Sequence, residues 1–148
     1  MDAWTAEDIR QFLQATSLFA QLPAQVLDEL TRAARVHGIA TGEEVMRRGE
    51  SGDSLFVVAS GQVRVTLEVP RGVHEVSVLG SGDFFGEIAM MTRAHRTATV
   101  TATSDAILLE FDGALILRLA GLHPALKNRL ARTGAQRSSE SLKRIIEE

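Results

Sequence analysis

The chain has 148 residues, 45% of them hydrophobic, with a formal net charge of −3 and no cysteine. That length suits one domain with its own core. The charge gives no basic footprint for nucleic acid, and the lack of thiols excludes disulfides, thiolate-held metals and iron–sulfur clusters.

Residues 5–16 read as a helix. Thr5 is a good N-cap, Asp8 stands three residues on as a weak capping box, and Ile9, Phe12 and Leu13 share one face, with Trp4 near it. Ser17-Leu18-Phe19 is a connection, and Pro23 suits the first turn of a second helix running to about Arg35. Val26, Leu27, Leu30, Ala33 and Ala34 form its buried stripe. The period then changes, with Val36, Ile39, Val45 and Met46 in short segments broken by Gly38, Gly42 and Gly49.

Leu55 to Ala59 is a continuous apolar run, as in a strand buried on both faces. Val63, Val65, Leu67 and Val69 alternate with polar residues, which predicts a half-buried strand. Pro70-Arg71-Gly72 is a turn, and Val76 and Val78, alternating with Glu75 and Ser77, predict the return strand. Ala98, Val100 and Ala102 alternate with threonines, and Ile107-Leu108-Leu109 follows a Ser104-Asp105 turn. Short strands with glycine turns suggest an all-β sandwich or barrel.

Asp112 can cap a helix to Leu122, and Pro124 opens a last helix through Leu126, Leu130, Leu142, Ile145 and Ile146. Gly134 and the Ser138-Ser139-Ser141 cluster have low helix propensity. The last helix is therefore expected to be loose or broken without a ligand. Arg129, Arg132, Arg137, Lys143 and Arg144 read as its solvated face.

Membrane-spanning length is not approached by any apolar run; Ala114-Leu115-Ile116-Leu117 is cut short by Arg118. The N-terminus lacks the basic-then-apolar pattern of a secretion signal. The expectation is a cytoplasmic chain that makes no membrane contact of its own.

One stretch carries the chemistry: Asp83-Phe84-Phe85-Gly86-Glu87-Ile88-Ala89-Met90-Met91, then Arg96-Thr97-Ala98-Thr99-Val100. Gly86 lets backbone approach a ligand closely, and a short helical turn after it has N–H groups at its start that favour negative charge. Arg96 adds a planar fork of donors suited to a phosphate. Glu87 on the same turn would repel a phosphate, so its partner is a hydroxyl elsewhere on the same molecule. Phosphate plus hydroxyl suggests a sugar phosphate or nucleotide. His37, His74, His95 and His123 lie in separate settings without ligand spacing, so no metal site is expected, and no nucleophile–base pair suggests catalysis.

The run Phe85 to Met91 followed by Arg96 to Val100 closely resembles the phosphate-binding cassette of cyclic nucleotide-binding domains. Such domains occur in protein kinase regulatory subunits, gated channels and catabolite-activator-type regulators. Gly49-Glu50-Ser51-Gly52-Asp53-Ser54-Leu55-Phe56-Val57-Val58, ending at Gly61, resembles the turn and strand that precede the cassette. The resemblance implies a mainly β fold with flanking α: an eight-stranded jelly-roll β-sandwich with N-terminal helices and a C-terminal helical lid. The resemblance covers roughly residues 10–146, and with the length it implies a single domain over 1–148, with helices in 5–35, a β-roll in 36–111 holding the cassette at 84–97, and helices in 112–148.

The implied ligand is cAMP or cGMP. Arg96 would take the exocyclic phosphate oxygens, aided by amides around Ile88, Ala89 and Thr97. Glu87, with the Gly86 backbone, would hold the ribose 2′-hydroxyl. The Thr97 hydroxyl leaves cGMP open, because in some relatives a hydroxyl there favours guanine. Val65 and Val76 are candidates for the wall under the purine. Phe84 and Phe85 read as packing residues, with Phe85 a candidate pocket-liner. Arg137, Ser138, Ser141 and Leu142 are nominated to cap the base.

The function implied is a non-enzymatic sensor whose last helices move on binding and control an attached or separate effector. Two alternatives stand beside it: a truncated catabolite-activator-type transcription regulator, and a degenerate jelly-roll interaction domain, against which intact Glu87 and Arg96 argue. A cupin-type enzyme would need clustered histidines.

Overall fold

The computed structural model describes residues 4–70, 72–93 and 95–147, and side chains within these except at 69 and 138–147. Helices α1 (Ala6–Ala15) and α2 (Ala24–Ala33) lead into strands β1 (Arg35–Ile39), β2 (Glu44–Met46), β3 (Leu55–Ser60), β4 (Val63–Val69), β5 (Gly72–Leu79) and β6 (Phe84–Phe85). The short helix α3 (Glu87–Thr92), strands β7 (Thr99–Ala102) and β8 (Ala106–Phe111), and helices α4 (Gly113–Leu122) and α5 (Pro124–Glu147) follow.

The strands form two four-stranded antiparallel sheets, ordered β1-β8-β3-β6 and β2-β7-β4-β5, which is the expected jelly roll. Two cores explain why β3 is apolar from Leu55 to Ala59. Phe56 and Val58 point between the sheets with Met46, Val63, Leu79, Phe85, Val100 and Leu108. Leu55, Val57 and Ala59 point the other way, under the helices, with Leu13, Phe19, Leu30, Phe111, Ile116 and Leu130. Each fully buried side chain of this size contributes roughly 1.5–3 kcal/mol.

The capping box on α1 forms in full: Asp8 N–H donates to Thr5 Oγ1 at 3.1 Å, and Thr5 N–H donates to Asp8 Oδ2 at 3.0 Å. The second helix is shorter than expected. Pro23 sits at its N-cap, and the backbone is already extended at Ala34, before β1.

Two other expectations are corrected, and the return strand carries an irregularity that its alternation did not predict. Val78 is 49% exposed. Val65 pairs with Ser77 but Thr66 pairs with Glu75, so Val76 is an extra residue in a β-bulge. The bulge shifts the phase of the strand, and the alternation read from Val76 to Val78 fails there. Asp112 precedes α4 but makes no side-chain cap; its Oδ1 lies 3.0 Å from Arg35 Nη2 instead. The last helix is not broken: α5 runs unbroken through Gly134. That glycine is buried against α3, where a Cβ would stand 2.7 Å from Met91 Cε. It permits a close helix approach and does not interrupt the helix.

Candidate functional site

Three segments converge at one end of the sandwich: the cassette after β6, the wall formed by β4 and β5, and the middle of α5. β6 brings the cassette in, with Phe85 stacked on Phe56 at 5.1 Å between centroids and 9° between planes. The chain then turns at Gly86, whose φ is +92°. A Cβ there would lie 2.7 Å from the Ser54 carbonyl oxygen and 2.9 Å from Arg96 Nη1. Both the dihedral and the space require glycine. Met90 N–H donates back to Gly86 O at 3.2 Å, so the amides of Glu87, Ile88 and Ala89 stand ahead of that first helical bond.

Arg96 is 6% exposed. Its Nη1 donates to the carbonyl oxygens of Ser54 and Gly86, both at 3.2 Å, and its guanidinium carbon lies 5.9 Å from the Phe56 ring centroid. Its backbone is tied to the earlier motif: Arg96 N–H donates to Glu50 O at 2.8 Å, and Gly49 N–H donates to Arg96 O at 2.9 Å. The two separated motifs are thus one structural unit. Among the described residues, the side-chain hydrogen bonds of Arg96 go to carbonyl oxygens and not to a carboxylate. Burial pushes its pKa down, opposed by the charges of Asp53, Glu110, Glu50 and Glu87. An arginine stays charged in a protein, so this is a partly desolvated cation that, among the described residues, forms no salt bridge, its nearest compensation being the charges of those four carboxylates.

Behind it, Ser54 links Arg96 to Glu110. Burial alone would raise the Glu110 carboxyl, but hydrogen bonds from Ser54, Arg35 and His37 bring its pKa down to about 2. Arg35 Nη2 lies 3.2 Å from Glu110 Oε2, and His37 Nε2 lies 2.7 Å from Oε1.

Glu87 is 2% exposed. Arg137, reaching down from α5, donates from Nη1 to both of its oxygens, the Oε2 contact measuring 3.0 Å. The Arg137 guanidinium carbon also lies 5.2 Å from the Phe84 ring centroid. Arg137 is therefore not part of a solvated face. Arg129 is not either, since it donates to the carbonyl oxygens of Ser17 and Leu18.

Between these groups lies a cavity of about 240 Å³. Phe85, Gly86, Glu87, Ile88, Ala89, Arg96, Thr97, Val65 and Val76 all line it, as does Arg137. The side chains of Ser138, Ser141 and Leu142 lie outside the described residues. Ser77, Thr133 and Gln136 also line the cavity and were not anticipated. Thr133, Gln136 and Arg137 follow Leu130 at spacings of three and four, so the buried stripe of α5 turns polar as it crosses the cavity. That spacing was a usable signal. Ser77 gave none, because the bulge beside it is not visible in the sequence.

A larger cleft, about 450 Å³, lies on the other side of α3 against α4 and includes neither Glu87 nor Arg96 in its lining. Among the described residues, no group of three or more His, Cys, Asp or Glu is placed to hold a metal, and no helix is long and apolar enough to cross a membrane.

A sequence profile described as the cyclic nucleotide-binding domain matches residues 37–121. A cyclic nucleotide-gated potassium channel of Rhizobium etli is 34% identical over 127 residues, covering 86% of this chain and 34% of the channel. A cGMP-dependent protein kinase of Toxoplasma gondii is 30% identical over 112 residues, covering 76% of this chain and 11% of the kinase. The chain thus spans about a third or less of the length of these curated relatives. Among solved structures, the regulatory domain of Toxoplasma gondii PKA with cAMP is similar with a TM-score of 0.71 and 29% identity, covering 80% of this chain and 45% of that one.

Proposed function

The chain belongs to the cyclic nucleotide-binding domain family, and we propose that its cavity binds a 3′,5′-cyclic nucleotide, cAMP or cGMP, as a regulatory module without hydrolysing it. The observation that carries this reading is Arg96, a buried cation that lines a cavity and whose side chain, among the described residues, bonds to carbonyl oxygens and to no carboxylate. A buried charge that is not directly paired is costly, and a cyclic phosphate in the cavity supplies a direct partner.

Each end of the ligand then has a partner. Arg96 and the amides of Ile88, Ala89 and Thr97 take the phosphate. Glu87, with the Gly86 backbone, takes the ribose 2′-hydroxyl. A carboxylate offers about four acceptor sites, so Glu87 can serve Arg137 and a hydroxyl together. Val65 and Val76 lie against the base. The roof is α5, held through Arg137 to the residue that meets the ribose. A ligand shifts α5 only by its preference for one arrangement of the helix. Contact with the ribose site gives it that preference, and the movement of the last helices then controls an attached or partner effector, with 1–148 acting as one unit.

Titration calorimetry with cAMP and cGMP tests the binding, with product analysis for turnover. Hydrogen exchange tests the switch. Residues 134–146 gain protection on binding while the β-strands change little; equal protection in both states removes α5 from the mechanism.

A further inference from the structure

We infer that Gly52 is a positioning residue for the phosphate: its missing side chain keeps clear the edge of the Arg96 guanidinium that a cyclic phosphate meets. This rests on the cyclic nucleotide reading of the cavity and goes beyond it by naming which edge binds and what holds that edge open.

The donors of Arg96 divide between two sides of its plane. A guanidinium has five N–H groups in a fixed fork. Nη1 carries two of them and donates to the carbonyl oxygens of Ser54 and Gly86, both at 3.2 Å. The other three are on Nε and Nη2, and among the described residues no protein acceptor takes them. Those two nitrogens form one edge, which matches two oxygens of a phosphate.

Gly52 faces that edge. A Cβ at 52 would lie 3.0 Å from both Nε and Nη2, and 3.3 Å from the carbon between them. It would be nearer the two nitrogens than the carbon, so it would stand off the donor edge and not over the middle of the plane. The backbone does not ask for glycine here. Gly49 and Gly61 have positive φ, and Gly52 does not. Space is what excludes a side chain.

Neither partner has room to retreat. The turn that carries Gly52 is pinned on both sides. Glu50 O accepts from Arg96 N–H at 2.8 Å, and Asp53 O is packed on α4, where a Cβ at Gly113 would stand 2.1 Å away. The guanidinium is tied by Nη1 to two carbonyls and lies close against Gly86, where a Cβ would come within 2.9 Å. A methyl group at 52 therefore pushes the edge by a few tenths of an ångström. That stretches two bonds already at the long end for N–H···O.

The test reads affinity and the position of Arg96 separately. The ligand is whichever of cAMP and cGMP binds the parent more tightly by calorimetry. Arg96 is followed through its Nε–H cross-peak in nitrogen-correlated NMR, identified by its absence from Arg96→Lys. A misplacement of about 1 Å at a tightly held site costs on the order of 10²-fold. Gly52→Ala is accordingly expected to shift the peak and to lose about 3- to 10-fold in affinity. Gly80→Ala, where a Cβ meets nothing within 4 Å, is expected to change neither. Lysine has no Nε–Nη2 edge to push, so Gly52→Ala is expected to cost nothing further in an Arg96→Lys background. Unchanged affinity in Gly52→Ala overturns the inference. So does an equal loss in the Arg96→Lys background, or a loss with an unmoved Nε–H peak. If Gly52→Ala does not fold, folding of the double variant supports the inference. Failure of both to fold overturns it, because the backbone then needs the glycine. If the parent binds neither nucleotide, the function reading itself fails.

Discussion

Arg137 on α5 donates from Nη1 to both carboxylate oxygens of Glu87 on α3, and Glu87 is only 2% exposed. One ion pair therefore joins the roof of the cavity to its floor. Removing Arg137 leaves a buried carboxylate without its partner. The Arg137 side chain is 26% exposed, so water recovers part of the loss, and we expect Arg137→Ala to cost about 1–3 kcal/mol. Thermal melting would show a drop of several degrees. Adding Glu87→Gln removes the stranded charge and is expected to restore most of it. No restoration in the double variant would mean that Arg137 acts through packing on Phe84.

Gly134 offers a graded test of how α5 sits on α3. A Cβ at 134 meets Met91 Cε at 2.7 Å, the far end of a flexible side chain that can move. Gly134→Ala is expected to be neutral or stabilising by up to about 1 kcal/mol, because alanine favours the helix by that much. Gly134→Ile adds bulk that Met91 cannot clear, so it is expected to lift α5 and weaken nucleotide binding at least tenfold. Wild-type affinity in Gly134→Ile, measured by calorimetry, would show that close contact between the helices is not needed.

The sequence disclosed the parts of this molecule that depend on neighbours along the chain. The apolar run of β3 implied burial on two faces, and two cores account for it. Gly86, Glu87 and Arg96 lie within one motif, so their convergence could be read directly. The misses depend on partners far away in sequence. Gly134 looked like a helix breaker because propensity counts the cost of glycine and not the presence of Met91 across the gap. Asp112 looked like a cap because Arg35, brought beside it by β1 pairing with β8, could not be foreseen. The bulge at Val76 was not legible because one extra residue reverses the phase of a strand without changing its composition. The pairing of Arg137 with Glu87, fifty residues apart, needs the helix docked in one rotation.

Acid should expose the anchor behind Arg96. The Glu110 carboxyl titrates at about 2, below its usual 4.5. A carboxyl lowered in the folded state adds stability above its unfolded pKa, and that stability is lost as pH falls from about 5 toward 2. After allowing for solvent screening, the contribution at neutral pH is of order 1–2 kcal/mol. Denaturant unfolding of the parent and Glu110→Gln should differ by that amount at pH 7, and the difference should shrink through pH 4 to 2 and vanish only below about pH 2. A constant difference across the range would rule out ionisation of Glu110 as the cause.

Arg96 bears most directly on the function, and titrating cAMP and cGMP into the parent and into Arg96→Met by calorimetry isolates it. Methionine keeps the unbranched stem of the side chain and removes the guanidinium with its charge. The parent is expected to bind at least one of the two nucleotides one-to-one with sub-millimolar affinity. Arg96→Met, still folded by its melting curve, is expected to lose about two to four decades of affinity, as when a buried charge partner is removed. Equal affinity in the two proteins, or no binding of either nucleotide by the parent, would contradict the assignment of this cavity to a cyclic phosphate.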